Sequence, residues 1–275
     1  MHIVAEVWTW LTTGAHWSGE AGVLHRLGEH VYLTGVCLLI SCALALPVAL
    51  WLGHVGRGGA LAVNISNAGR AVPTFAVLVL LTMSPLGKQG DWATIVALVL
   101  FALPPLLTNA YTGIRGADPQ VVEAARGMGM TGWQLMRQVE LPLALPLIMT
   151  GIQTAAVQLV ATATLAALPG GGGLGRLITA GFGNYDTPQV VAGALLVAVL
   201  ALLVERALTL VERLLDPMRK RRVSRRPAPA DAEGDDGGSG DTGEGGEDGG
   251  TPEGGSTGPG QEPPPGKTAP APSTA

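Results

Sequence analysis

Residue types that often do chemistry are present in this chain of 275 residues, but in arrangements that cannot do it. Gly170, Gly172 and Gly175 spell G-x-G-x-x-G, the spacing that cradles a dinucleotide pyrophosphate. Such a site needs a strand before the glycines and a helix start after them in a β-α-β unit. Here the glycines follow a long apolar run, and no Lys-Ser/Thr completes a phosphate loop. A tight turn is the expected reading. His2, His16, His25, His30 and His54 are scattered without an H-E-x-x-H pair, so no metal site is expected. Cys37 and Cys42 sit five residues apart in an apolar run and point in different directions on a helix, as small apolar filler does. Ser41 has no His or Asp at matching depth, which argues against a serine nucleophile. No catalytic residue is expected. What remains is residues 123–142, EAARGMGMTGWQLMRQVELP, a polar, helix-patterned insert between two strongly apolar segments. A protein that only spans a bilayer has no use for it. A membrane protein pushed from one side by a partner does.

The elements that position this insert are apolar. A bilayer core of about 30 Å takes roughly twenty apolar residues as helix. Residues 32–52 meet this without a charge. Residues 72–86 span only if 61–71 extend them. Residues 92–114 form a third span, in which Pro104 and Pro105 predict a kink. Residues 142–168, with Pro142 and Pro146 near the start, form a fourth. Residues 189–210 form the last, with Glu205 and Arg206 marking its approach to the headgroups. Five transmembrane helices are expected.

Loop charge orients them. One side carries Arg57, Arg70, Arg115, Arg126, Arg137 and the basic run 219–226; the other carries Arg26, Lys88 and Arg176. The first side is expected in the cytoplasm, which puts the N-terminus outside and both the insert and the C-terminus inside. The basic run fits an anchor on anionic lipid rather than a nucleic-acid site, because it abuts a span. Residues 227–275 hold ten acids, one base (Lys267) and no aromatic residue, Val, Ile or Leu. Such a segment cannot bury enough apolar surface to offset its ordering entropy, so a disordered acidic tail is expected. The first ten residues lack a basic n-region and an apolar h-region, so no cleavable signal peptide is expected. Trp8, Trp10 and Trp17 suit a membrane–water interface. The expected organisation is an extracytoplasmic segment 1–30, a membrane domain 31–218 with a cytoplasmic insert at 118–141, and an anchor and tail at 219–275.

Within the insert, Asp118 can N-cap a helix whose first turn accepts Pro119. Val121, Ala124, Ala125 and Met128 follow as a narrow apolar stripe. Gly127 and Gly129 end that helix. Thr131 and Gln134 form a capping box for a second. Trp133, Met136 and Val139 give a second stripe, and Pro142 opens the next span. Two short helices around a glycine bend are predicted.

The insert resembles the EAA loop of ABC-importer permeases: Glu-Ala-Ala, three residues, Gly, nine residues, Ile, any residue, Leu-Pro. Glu123, Ala124, Ala125, Gly129, Leu141 and Pro142 match, and Val139 stands where that family prefers Ile. The resemblance implies an all-α polytopic membrane protein of the type I ABC-importer permease fold, the one also called MetI-like. It implies a loop that docks into a groove on cytoplasmic ABC ATPase subunits, with Glu123 as docking residue and Gly129 as bend. ATP and Mg2+ would sit on that partner, and this chain would carry no cofactor. A second permease subunit, identical or homologous, and an extracytoplasmic solute-binding protein complete the implied assembly, in a bacterial cytoplasmic membrane. The segment ALPPLLTNAYTGIRGADPQVVEAARGMGM before the loop and TATLAALPGGGGLGRLI after the fourth span are similar to the osmoprotectant branch, which imports glycine betaine, choline, carnitine or proline-type solutes. Permeases for methionine share part of this pattern, and a non-transporting scaffold would also account for an amphipathic insert.

Polar groups inside spans are costly in lipid unless they face protein or water. Asn109 on the third span and Gln153 and Thr164 on the fourth are candidates for a solute path; interhelical hydrogen bonding is the plainer reading. Gln153 and Thr164 share a helix face, and Gln158 is expected well off it. Aromatic faces hold a quaternary ammonium best, and only 4% of this chain is aromatic. Tight recognition of such a solute would then reside in the external binding protein.

Overall fold

The computed structural model describes residues 2–56, 59, 64, 69, 71–89 and 91–215. Most of residues 61–71 (the extension expected for the second span), the basic run 219–226 and the acidic tail lie outside the described residues. Among those described, all regular structure is helical. In chain order the helices are α1 (His2–Thr12), α2 (Val23–Val55), α3 (Thr74–Met83), α4 (Trp92–Arg115), α5 (Pro119–Gly127), α6 (Gly132–Leu135), α7 (Leu141–Ala163), α8 (Gly175–Gly183) and α9 (Thr187–Leu215). A π-helical segment, Met136–Glu140, joins α6 to α7.

Among the described residues, four stretches are long and apolar enough to cross a bilayer: α2, α4, Gly132–Ala167 and α9. The fifth expected span appears as α3, a shorter apolar helix. The expected boundary at residues 30/31 falls inside α2, which starts at Val23. Nor is the N-terminal segment separate, because Val7 and Trp10 of α1 are buried in one cluster with Leu177, Ala192 and Leu200. Trp10 stacks on His16 with ring centroids 4.4 Å apart, and Trp17 Nε1 donates to the Leu11 carbonyl at 2.7 Å. Packing therefore claims two of the three tryptophans expected at an interface; Trp8 is exposed.

The centre is α2, α4 and α7. Leu33, Cys37 and Ala45 of α2 pack against Leu98, Ala102 and Leu106 of α4 and Ala155, Leu159 and Ala163 of α7. Cys37 is a free, buried cysteine, and Cys42 is also free. Small residues bring the axes close, as is usual where lipid supplies no hydrophobic drive. A Cβ on Gly53 would lie 2.8 Å from Ile114 Cβ, and one on Gly151 would lie 2.8 Å from Asn109 Cβ. By contrast, only 6% of the most apolar window of α9 is buried. Leu195, Val199, Leu202 and Leu203 stand exposed along it, so this face needs lipid or another protein to cover it.

Candidate functional site

The insert folds through its own local chemistry. Asp118 Oδ1 accepts from Gln120 N–H at 2.9 Å, and Pro119 occupies the first turn of α5. At the other end Gly129 takes φ +81°. Its N–H donates to Arg126 O at 2.9 Å, and Met130 N–H donates to Ala125 O at 3.3 Å. This pair of bonds is a Schellman motif, which satisfies carbonyls the helix end leaves open and requires the left-handed residue. Thr131 then caps α6. Its N–H donates to Gln134 Oε1 at 2.9 Å, while Gln134 N–H donates to Thr131 Oγ1 at 3.4 Å. The capping box closes reciprocally.

The π segment follows where proline forces it. The Pro142 ring has no N–H and crowds the carbonyl four residues back. Leu141 N–H bonds instead to Met136 O, five residues back. Leu141 then packs onto Ala49, Ala110, Ile114, Ala144 and Ile148, the cluster at the same end of the bundle as the insert.

Two residues pin the insert: Ala125 at 2% exposure and Leu135 at 1%. Leu135 was not signalled by the sequence, because it lies off the second apolar stripe. Other residues of the two stripes behave differently. Val121, Met128 and Trp133 are exposed, Met128 at 75% and Trp133 at 65%. Glu123 and Ala124 are also exposed, and Val139, Leu141 and Pro142 are half-buried. The structure thus displays an apolar, unpartnered surface on a loop whose ends are tied down.

The polar residues of the spans separate. Asn109 Nδ2 donates to the Pro105 carbonyl of its own helix at 2.8 Å, and its Cβ lies against Gly151. Thr164 caps α7, its hydroxyl donating to Ala161 O at 2.6 Å. Gln153 Nε2 donates to Glu212 Oε2 of α9 at 2.8 Å. A groove of about 480 Å³ runs beside this pair, lined by Thr150, Gln153, Thr154, Gln158 and Glu205 among others. Gln158 therefore shares a surface with Gln153, against expectation, because the groove is wide enough to collect residues from both edges of the α7 face. Asn109 and Thr164 are not among its lining residues.

At the other end of the bundle the glycine-rich turn is clamped onto α2. Glu29 Oε2 accepts from Gly173 N–H at 2.9 Å and from Arg26 Nη1 at 2.8 Å. Arg176 donates to the carbonyls of Gly171 at 2.8 Å and Gly170 at 3.0 Å. A Cβ on Gly173, whose φ is +86°, would lie 2.8 Å from His30 Nδ1. The spacing of these glycines serves close approach within the fold.

Residues 45–217 match the family described as binding-protein-dependent transport system inner membrane component. The chain belongs to that family. It is 36% identical to the glycine betaine/carnitine/choline transport system permease protein OpuCB of Bacillus subtilis, over 71% of this chain and 89% of that one. It is also 36% identical to the osmoprotectant import permease protein OsmY of Salmonella typhimurium, over 72% of this chain and 84% of that one. Among solved structures, the MetNI methionine ABC transporter in an inward-facing form superposes with a TM-score of 0.61 at 25% identity, covering 70% of this chain and 95% of that one. The fold is that of the type I ABC-importer permeases. The protein is a multi-span permease of the cytoplasmic membrane, a transport subunit rather than an enzyme.

Proposed function

We propose that this permease imports an osmoprotectant of the glycine betaine, choline or carnitine type, driven by cytoplasmic ABC ATPases that grip residues 118–141. The exposed Met128 and Trp133 carry the reading. They stand on a loop locked at both ends by caps and pinned by Ala125 and Leu135. Exposed apolar side chains on a preorganised support fit a protein partner, since little ordering remains to be done on binding. ATP and Mg2+ belong to that ATPase, and an extracytoplasmic binding protein delivers the solute. The N-terminus lies outside and the C-terminus inside, following the loop charges.

A second permease copy or homologue completes the path. The support is the α7–α9 groove. Gln153, Gln158, Glu205 and Glu212 on neighbouring helices are too polar to be left facing lipid and fit a water-filled or protein-covered surface. Gln153 is the path candidate with the strongest support. Asn109 bonds its own helix backbone and Thr164 caps its own helix, so their claim is weaker. Osmoprotectants are preferred over methionine because osmoprotectant permeases are the nearer relatives, at 36% identity against 25%.

The test uses the permease expressed with its genomic neighbours. Met128→Asp and Trp133→Asp change exposed residues, so insertion should persist while ATPase co-purification is lost. Uptake of labelled glycine betaine, choline and carnitine should exceed that of methionine. ATPase binding that survives both substitutions defeats the docking reading; preferential methionine uptake defeats the substrate assignment.

A further inference from the structure

Glu140 is the one buried carboxylate among the described residues, at 5% exposure. It closes the π segment at the point where the insert becomes α7. Its partner is His54, in the last turn of α2 and 86 residues away, with Nδ1 at 2.6 Å from Oε2. A carboxylate can only accept, so the imidazole Nδ1–H donates. The other edge of the same ring faces the insert as well. A Cβ on Gly132, the first residue of α6, would lie 3.2 Å from His54 Nε2. One side chain of α2 thus bonds the end of the π segment and lies beside the start of α6.

The far part of α2 is tied to α7 too. His30 Nε2 donates to the Val160 carbonyl at 3.1 Å, and Glu29 one residue earlier holds the glycine-rich turn. Between the two ties α2 is a single helix, with Pro47 inside it. Apolar packing against α4 and α7 fills the interval. A polar contact between segments distant in sequence, largely shielded from solvent, gives one geometry where greasy packing tolerates sliding.

We propose that the His54–Glu140 contact is a transmission joint: it makes α2 move with the insert, so that ATPase motion enters the bundle through α2 as well as α7. His54 and Glu140 are positioning residues in this role. The inference rests on the ATPase-docking reading of the insert. The π segment makes the joint necessary. Its wider, less regular turn lies between α6 and α7, so α7 by itself is a compliant link. The His54 ring bridges that turn from Gly132 to Glu140 and stiffens it against α2.

The test reconstitutes the permease with its ATPase and binding protein in proteoliposomes and measures labelled glycine betaine taken up per ATP hydrolysed. This ratio does not depend on how much complex assembles. His54→Ala alone strands a buried carboxylate and risks misfolding, so the decisive variant is the double His54→Leu/Glu140→Leu, which keeps an apolar fill without the hydrogen bond. Its uptake per ATP should fall by about two- to thirty-fold, the range that altered contacts along a coupling route produce, while ATPase binding persists. His54→Asn, whose amide nitrogen stands near the Nδ1 position and can still donate to Glu140, should restore most of the ratio. A wild-type ratio in the double variant overturns the joint and leaves docking intact. A His54→Asn variant as uncoupled as the double one also overturns it. A wild-type permease that binds no ATPase overturns the docking reading and the joint together.

Discussion

Gly129→Val is the most exacting test of the insert, because the structure separates its two possible effects. Gly129 sits at φ +81°, and a Cβ there meets nothing within 4 Å. Any penalty therefore comes from backbone conformation and not from a clash. An L-residue in the left-handed region costs roughly 1–2 kcal/mol, and a β-branched one is a pronounced outlier there. The turn has two ways to respond. It keeps its shape under strain, or it leaves the left-handed region and gives up the Met130–Ala125 and Gly129–Arg126 hydrogen bonds. At 1–2 kcal/mol the population of the native bend falls by a factor of about 5–30. Either way α6 no longer leaves α5 in one direction, and Met128 and Trp133 lose their fixed relation.

Membrane insertion is read by protease protection, ATPase binding by co-purification, and uptake in proteoliposomes. Insertion should match wild type, because the bend lies outside the spans. Uptake should collapse in Gly129→Val. Gly129→Asn should retain most uptake, because Asn tolerates the left-handed region, and Gly129→Ala should fall between. Normal uptake by the Val variant would refute the argument that the bend transmits motion. Equal losses for Asn and Val would refute the argument from φ, since the cause would then be the side chain itself.

Two further outcomes follow from packing in the spans. Gly151→Leu places a Cβ 2.8 Å from Asn109 Cβ and 3.3 Å from the Pro105 carbonyl; overpacking of about 1–3 kcal/mol is expected, seen as a lower midpoint of thermal unfolding in detergent. Gln153→Ala and Glu212→Ala, combined in a double-mutant cycle, should show a favourable coupling energy of about 0.6–1.7 kcal/mol, the span measured for hydrogen bonds between membrane helices; strictly additive effects would mean that the 2.8 Å contact is absent in the membrane.

What was legible in the sequence is what the chain encodes within one or two turns. Asp118 with Pro119, Gly129, and Thr131 with Gln134 each act on neighbours no more than four residues away, and each forms the predicted cap or bend. The apolar runs were legible for the same reason. Their ends were not. α2 begins at Val23 because its first turns pack against other helices, and hydropathy does not register a half-polar helix such as VLHRLGEHV. The pairing of Gln153 with Glu212 spans 59 residues and that of His54 with Glu140 spans 86. Neither residue type nor spacing could propose them. Leu135 was passed over because a four-residue helix is too short for a stripe to declare its buried side. Trp10 and Trp17 misled because an indole suits an interface and a packed corner equally well.

The two exposed apolar surfaces call for different covers, and this bears on how the permease works. The face of α9 carries Leu195, Val199, Leu202 and Leu203 with no charge between them. Lipid or a second permease satisfies it at no cost in specificity. The insert carries Met128, the C-cap of a nine-residue helix, and Trp133, on a four-residue helix, between Arg126 and Arg137 with a bend between them. Helices this short are marginal alone; here the caps, the Schellman turn, Ala125 and Leu135 hold them. A surface meant only to rest in the headgroups would not need such fixing, since an amphipathic helix orders itself on a membrane by burying one face. Fixing is needed where displacement must be passed on. Force applied at Met128 or Trp133 cannot be absorbed by local unfolding of a capped helix as readily as by a loose loop. In the proposed coupling it arrives at Leu141 and Glu140, and so at α7 and at His54 of α2.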